Sequence, residues 1–209
     1  MSQAGFDTFE ELVVQALTDP GAEAELRRRY EQPAAIFVVD FSEMVLRSDT
    51  HGIIYALGLA RAAEAALAPA VYAAGGRVIK RVADTVFAIF DGPAAALQAA
   101  LDAQRALGAF NASRHGHLCQ GERNEPIRGS IGLGYGPTLV IPGEDIYGAE
   151  VNRAFVLGED VGHGGEVLAS MAFVAALGAP PAGVGTHAAP AARVDEARFP
   201  FVVIADYRD

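Results

Sequence analysis

The chain has 209 residues, of which 51% are hydrophobic, so it is long enough to bury one substantial core. A formal net charge of −10 argues against a general surface for nucleic acid or anionic membranes, and the single cysteine excludes an internal disulfide framework. The amino terminus has no signal-peptide pattern, and no apolar stretch is predicted to span a membrane. We therefore expect a globular, cytoplasmic protein that binds neither nucleic acid nor membranes.

Residues 1–33 are predicted to form a helical lead-in to the main domain. An N-cap pattern at Asp7 precedes apolar residues at helical spacing, Asp19-Pro20-Gly21 breaks that helix, and a second helix is expected from Ala22 to Tyr30. Packing against the domain is the favoured role of these helices. The alternative is an element for dimerisation or signal coupling.

The main domain, residues 34–209, is predicted to begin with a strand over 35–39 that ends at Asp40. A long alanine-rich helix over 51–74 leads through two glycines into a pair of short strands that meet at Asp84. Asp84 is therefore expected in the tight turn of a β-hairpin.

The elements after the hairpin complete a recognisable order. Helix 94–109 and strand 127–135 give strand, helix, strand, strand, helix, strand, which is the ferredoxin-like split βαβ plan of an α+β protein. Further predicted elements are a partner strand at 138–141, a helix at 148–159, a strand at 165–168, a helix at 169–177, a loop at 178–190 and an edge strand at 199–205.

Two other patterns admit more than one interpretation. Gly132, Gly134 and Gly136 alternate along a strand instead of opening a helix, so they are expected to admit a close backbone or a nucleotide. The polar stretch 111–126 contains His115, His117 and Cys119. No second ligand pair follows at zinc spacing, so an exposed loop is favoured over a metal site.

Asp40 and Asp84 are the candidate metal ligands. Each carboxylate stands at the end of a predicted strand, and folding of the sheet is expected to bring the two strand ends together. Paired carboxylate oxygens suit hard divalent cations. A turn residue at Asp84 and a strand-ending cap at Asp40 are the alternative interpretations.

Three separated segments resemble the catalytic domain of class III nucleotidyl cyclases. They are Val38-Val39-Asp40-Phe41, the run from Gly76 to Asp84, and Glu144-Asp145-Ile146-Tyr147-Gly148-Ala149-Glu150-Val151-Asn152. The resemblance covers about residues 34–175, in the same order as in the family. It implies a split βαβ cyclase homology domain and closure of a 3′,5′-cyclic nucleotide.

The resemblance also implies roles for individual residues at the metal site. Asp40 and Asp84 would match the two metal carboxylates, and the backbone carbonyl of Phe41 would match an additional ligand. Two ions, Mg²⁺ or Mn²⁺, would then serve each site, which suits attack of the ribose 3′-oxygen on the α-phosphorus with loss of pyrophosphate.

The base and ribose positions follow in the same way. Lys80, the only lysine in the chain, would match the residue that reads the base edge, and Asp145 would match its partner. This pair resembles the adenine-selecting pair of the family, which implies ATP as the substrate. Asn152 would match the asparagine that orients the ribose. In the family these halves come from opposite subunits, which implies a homodimer.

The chain departs from the family pattern at three places. Ser42-Glu43-Met44 replaces a Gly-Phe-Thr element, Val156 replaces an arginine, and no lysine follows Lys80, although Arg193 or Arg198 are candidate substitutes. Two functions therefore stay open. One is an active cyclase, and the other is a degenerate cyclase-like domain that binds a nucleotide or a partner and regulates without chemistry.

Overall fold

The computed structural model describes residues 8–113, 116 and 126–205. The predicted N-cap Asp7 and the expected loop residues His115, His117 and Cys119 lie outside the described residues.

The described strands form one sheet. They run β1 Glu31–Phe41, β2 Arg77–Val82, β3 Thr85–Phe90, β4 Gly129–Ile141, β5 Asp145–Tyr147, β6 Val167–Ser170, β7 Gly185–Ala188 and β8 Phe201–Ala205. The strand order is β2-β3-β1-β4-β6-β8-β7, with β5 paired to β4. Only the β4–β6 pair is parallel among the described strands.

The helices of the described residues alternate with these strands. They are α1 Phe9–Ala16, α2 Pro20–Tyr30, α3 Met44–His51, α4 Ile53–Ala73, α5 Pro93–Ala112, α6 Ala149–Phe155, α7 Met171–Leu177 and α8 Ala191–Ala197. A π-helical segment, Val156–Val161, continues α6. The order β1, α4, β2, β3, α5, β4 with adjacent strands 2-3-1-4 confirms the predicted split βαβ core.

Strand β1 is buried on both faces of the sheet. Phe37 and Val39 belong to the core beneath α4 and α5, whereas Ile36 and Val38 belong to a second cluster with Val151 of α6. Side chains alternate along a strand, so a strand covered by helices on both sides must be apolar throughout. This burial explains the uninterrupted apolar run that precedes Asp40.

The structure corrects the predicted strands in the second half of the chain. The two strands expected at 127–135 and 138–141 are one strand, β4, in which Pro137 faces Pro33, so neither ring removes a donor that its partner needs. The expected loop at 178–190 contains β7, and β8 lies between β6 and β7. Since Pro200 precedes β8, it does not confine that strand to the sheet edge.

Helices α3 and α8 were not predicted, and the long helix proposed over residues 51–74 starts instead at Ile53. Gly52 separates α3 from α4 with a φ of 89°, a left-handed conformation that favours glycine. By contrast, α5 agrees with the expected helix at 94–109 to within a turn at either end.

Helix α4 is the one described helix that is long and apolar enough to cross a membrane by length and composition, although no such stretch was expected. Its Leu59, Ala63 and Leu67 are buried in the core, and it connects neighbouring elements of the sheet. These are the properties of a core helix, which passes the same length and composition test.

Helices α1 and α2 pack on each other through Leu12, Ala22 and Leu26, and this small cluster contacts Leu139 of β4. Thr8 is the N-cap of α1, where its side chain accepts a hydrogen bond from the Glu11 amide. Strand β1 begins at Glu31, directly after α2. The division of the chain at residue 33 stays a prediction.

Two of the alternating glycines admit the backbone of α6, as one of the two sequence interpretations required. A Cβ atom added to Gly132 would lie 2.0 Å from the carbonyl oxygen of Ala154, and one added to Gly134 would lie 2.5 Å from that of Glu150. Neither contact is possible without movement of α6 away from the sheet.

We predict that Gly132→Ala lowers the free energy of unfolding by about 1–3 kcal/mol, because the added methyl group collides with backbone that cannot rotate away. Gly58→Ala is the matched control. Gly58 lies within α4 with open space around its Cα, so alanine there should stabilise the protein by about 1 kcal/mol. Urea denaturation of both variants measures the difference. Equal stability of the two variants would contradict the close approach of α6.

Candidate active site

The β2–β3 hairpin places Asp84 beside the end of β1. Val82 pairs with Thr85, which leaves Ala83 and Asp84 as a two-residue turn, as the sequence predicted. Strand β3 pairs antiparallel with β1 as far as Val39, so the hairpin turn and Asp40 lie at the same end of the sheet. The structure thus brings the two predicted metal carboxylates to one place.

Asp40 is in an environment that disfavours its charge. Burial, followed by the negative charges of Asp84 and Glu159, raises the pKa of Asp40 to about 7 from 3.8. Hydrogen bonds from the Thr85 hydroxyl and the Phe41 amide act in the opposite direction, but they are smaller effects. The site therefore concentrates negative charge that no described cation neutralises at Asp40.

Thr85 and Glu159 are parts of this site that the sequence analysis missed. The hydroxyl oxygen of the buried Thr85 lies 3.2 Å from Oδ1 of Asp40 and 2.9 Å from Oε2 of Glu159. A hydroxyl has one proton to donate, so it serves one carboxylate at a time. Glu159 reaches the site from the π-helical segment, and no spacing rule applied to the sequence would have placed it there.

The residues present suit divalent cations to a limited extent. Among the described residues, no three His, Cys, Asp or Glu side chains are arranged to hold a metal ion. The donor set is therefore the one predicted, Asp40, Asp84 and the carbonyl of Phe41 at the end of β1. These are hard oxygen donors with unneutralised negative charge, which fits Mg²⁺ or Mn²⁺ whose remaining ligands are phosphate oxygens and water.

The predicted base-reading residues form an ion pair. Nζ of Lys80 lies 2.6 Å from Oδ1 of Asp145, and each side chain is about one quarter exposed. A register shift between Val78 and Lys80 marks a β-bulge, a feature that re-aims the following side chain. The ammonium group also lies 4.7 Å from the centre of the Phe87 ring.

Asp145 is held in its charged form. Burial raises its pKa, but the hydrogen bond and charge of Lys80 and the hydrogen bond from the Ile146 amide outweigh burial, so the pKa lies below 3.8. The amide nitrogen of Ile146 lies 2.7 Å from Oδ1 of Asp145. The structure therefore presents a fixed carboxylate next to a fixed ammonium group.

Asn152, the predicted ribose-orienting residue, lies on α6 with an exposed side chain. It forms no side-chain hydrogen bond with the part of the chain that the structure describes. The structure does not bring it into contact with either carboxylate pair within one protomer.

A polar cavity of about 450 Å³ adjoins the end of β1 and contains cations that the sequence analysis did not identify. Its lining includes Ser42, Glu43, Arg47, Arg128 and His163. Arg47 is 5% exposed and donates to the carbonyl of Pro126 at 3.2 Å. The amide of Ser42 donates to the carbonyl of Arg128 at 2.9 Å, which holds the arginine beside the strand end.

The candidate substitutes for the family's missing cations have other partners. Val156 packs against an apolar cluster, and Arg153 forms an ion pair with Glu150. Arg193 donates to Glu166 at 2.7 Å and to the carbonyl of Val161 at 2.8 Å.

Known structures share this fold, whereas no model of a sequence family and no curated protein matches the chain. The adenylate/guanylate cyclase/hydrolase from Silicibacter pomeroyi is 24% identical with a TM-score of 0.64, and the match covers 86% of this chain and 98% of that chain. The adenylyl cyclase CyaB from P. aeruginosa is 17% identical with a TM-score of 0.65, covering 83% and 93%.

A guanylate cyclase domain from Catenaria anguillulae, solved in complex with GTP, is 14% identical with a TM-score of 0.64, and the match covers 83% of this chain and 96% of that chain. The similar structures include both adenylyl and guanylyl cyclases. The chain therefore has the fold of the class III nucleotidyl cyclase catalytic domains.

Proposed function

We propose that the protein is a nucleotidyl cyclase that converts ATP into 3′,5′-cyclic AMP and pyrophosphate. The observation that carries this proposal is the meeting of Asp40 with Asp84 at the end of β1, in a domain with the cyclase fold. The cytoplasm is the proposed location, from the sequence pattern alone.

The carboxylates Asp40 and Asp84, with the carbonyl of Phe41, would hold two divalent cations, Mg²⁺ or Mn²⁺. Bound cations of this kind supply Lewis acidity for the attacking 3′-oxygen and the departing pyrophosphate. Thr85 holds the Asp40 carboxylate in place through its hydroxyl group. Asn152 of the same chain type is proposed to orient the ribose.

The Lys80–Asp145 pair supports ATP as the substrate. Adenine offers an exocyclic amine that donates and a ring nitrogen that accepts, so the Asp145 carboxylate can accept from the amine while the Lys80 ammonium donates to the ring. Guanine offers a carbonyl where adenine has the amine, and a carboxylate facing that carbonyl would be repelled.

The cavity beside β1 is the proposed place for the phosphates. Ser42 follows Asp40 by two residues, so this cavity begins about 7 Å along the chain from the metal carboxylates. The guanidinium groups of Arg47 and Arg128 can form charge-assisted hydrogen bonds with phosphate oxygens. Glu43 opposes this binding, and its φ of 67° shows that it occupies a conformation that favours glycine.

A homodimer is the proposed active form. The resemblance to the cyclases implies that Asp40 and Asp84 of one protomer act with Lys80 and Asp145 of the other. Each chain carries both halves, so a two-fold dimer would contain two equivalent sites.

The alternative function is a degenerate cyclase domain that binds a nucleotide or a partner and regulates without chemistry. The packing of Val156 against an apolar cluster favours this alternative, because the corresponding arginine of the cyclases would stabilise transition-state charge. Arg153 and Arg193 are already engaged by Glu150 and Glu166.

We expect purified protein incubated with ATP and Mg²⁺ or Mn²⁺ to form 3′,5′-cyclic AMP, and Asp84→Ala to lower the rate at least about a thousandfold. Asp91→Ala is the control, since Asp91 is an exposed aspartate just beyond the same hairpin. Chromatography of the products measures both. An Asp84→Ala variant as active as the wild type would contradict the site, and a folded wild-type dimer without any cyclic product would favour the regulatory alternative.

We also expect the stability of the metal-free protein to depend on pH through Asp40. Its pKa of about 7 exceeds the ordinary value of 3.8, so the folded state binds the proton more tightly and loses stability as the pH rises through this window. Asp40→Asn removes that loss. In EDTA, the variant should therefore gain more in Tm over the wild type at pH 8 than at pH 5.

Asp91→Asn serves as the control for this pH series, because Asp91 is exposed and should shift Tm equally at both pH values. A larger gain for Asp40→Asn at pH 5 than at pH 8 would show that the Asp40 carboxylate is not held in a charge-disfavouring site.

A further inference from the structure

Tyr147 contacts the base-reading pair from within the same strand. It follows Asp145 by two residues on β5, so both side chains project from the same face. The Tyr147 hydroxyl donates a hydrogen bond to the Asp145 carboxylate. Asp145 thus accepts from the Lys80 ammonium, the Ile146 amide and the Tyr147 hydroxyl.

The ring of Tyr147 is held from the other side by α1. The ring of Phe9, the first residue of α1, stacks on it with centroids 5.8 Å apart and planes inclined by 12°. Phe9 also packs edge-on against Tyr30 at the end of α2, with centroids 5.1 Å apart. One aromatic side chain therefore joins both lead-in helices to the strand that carries Asp145.

A second, electrostatic contact joins the same elements. The negative charge of Asp145, with smaller contributions that include Glu10 of α1, raises the pKa of Tyr147. Glu10 follows Phe9 in the sequence, so two consecutive residues of α1 act on Tyr147. Leu12 is fully buried between α1 and α2, which fixes the helix that presents them.

Tyr147 is 47% exposed, so little of its side chain contributes to the core. Its contacts are instead the hydrogen bond to Asp145 and the stack on Phe9. A tyrosine with so much exposed surface is poorly explained as a packing residue.

We propose that Tyr147 is a positioning residue that fixes the Asp145 carboxylate for base recognition, and that α1 controls this position through the stack of Phe9 on Tyr147. The proposal rests on the proposed role of Lys80 and Asp145 in reading the base. With one carboxylate oxygen held by protein donors, the other faces the incoming base in a single orientation. Displacement of α1 would release Tyr147 and relax the choice between adenine and guanine.

Because Lys80 is the only lysine, protein grown with isotope-labelled lysine gives one side-chain NMR resonance, and that resonance reports directly on the pair with Asp145. Three variants are compared with the wild type. Tyr147→Phe removes the hydroxyl and keeps the ring, Phe9→Ala removes the stack, and Val14→Ala is the control on the exposed face of α1.

We expect the Lys80 resonance to shift in Tyr147→Phe and in Phe9→Ala, and to stay in place in Val14→Ala. The ratio of kcat/KM for ATP to that for GTP should fall about two- to tenfold in the first two variants, as expected for loss of one hydrogen bond. Since this term concerns the bound base, KM should change more than kcat. Melting temperatures of all variants identify any that are merely destabilised.

The two readouts separate this proposal from the proposed function. A shifted Lys80 resonance in a wild-type protein that forms no cyclic product would support the coupling of α1 to the pair and refute the cyclase assignment. A Lys80 resonance unchanged in both Tyr147→Phe and Phe9→Ala would overturn the coupling, whatever the activity. An unchanged ATP-to-GTP ratio in an active enzyme would overturn the positioning role of Tyr147.

Discussion

The antiparallel pairing of β1 with β3 is the constraint on which the candidate site depends. The register that sets Val39 opposite Val86 brings the end of β1 to the start of β3, so Asp40 meets Thr85 and the hairpin turn that carries Asp84. A shift of one residue would turn every side chain of β1 to the other face of the sheet. The burial of Phe37 and Ile36 in opposite clusters makes such a shift costly. The apolar cores therefore fix the geometry of the carboxylates.

A second local irregularity prepares the other half of the site. The β-bulge before Lys80 aims the ammonium group at Asp145, whose strand β5 is attached to the far end of β4. Within one protomer the two halves therefore belong to different strands of the same sheet. The close approach of α6 at Gly132 fixes the helix that carries Asn152 and the π-helical segment that carries Glu159.

The split βαβ core was predictable because its elements have strong local patterns: the apolar run of β1, the tight turn at Asp84 and the amphipathic helix α5. Strand β7 and the interior position of β8 were not predictable, because they depend on pairing across the sheet and not on local residue type. The same limit applies to the site. Asp40 and Asp84 end predicted strands, whereas Glu159, Arg128 and Tyr147 join it only through tertiary contacts.

The central claim is that one chain carries two half-sites that complete each other in a dimer, and complementation between inactive variants tests it most directly. Asp84→Ala and Lys80→Met remove different halves, so neither variant alone should turn over ATP. After mixing and exchange of subunits, half of the dimers are mixed and each has one intact site, which predicts about one quarter of the wild-type rate. No recovery in a mixture shown to contain mixed dimers would contradict the account.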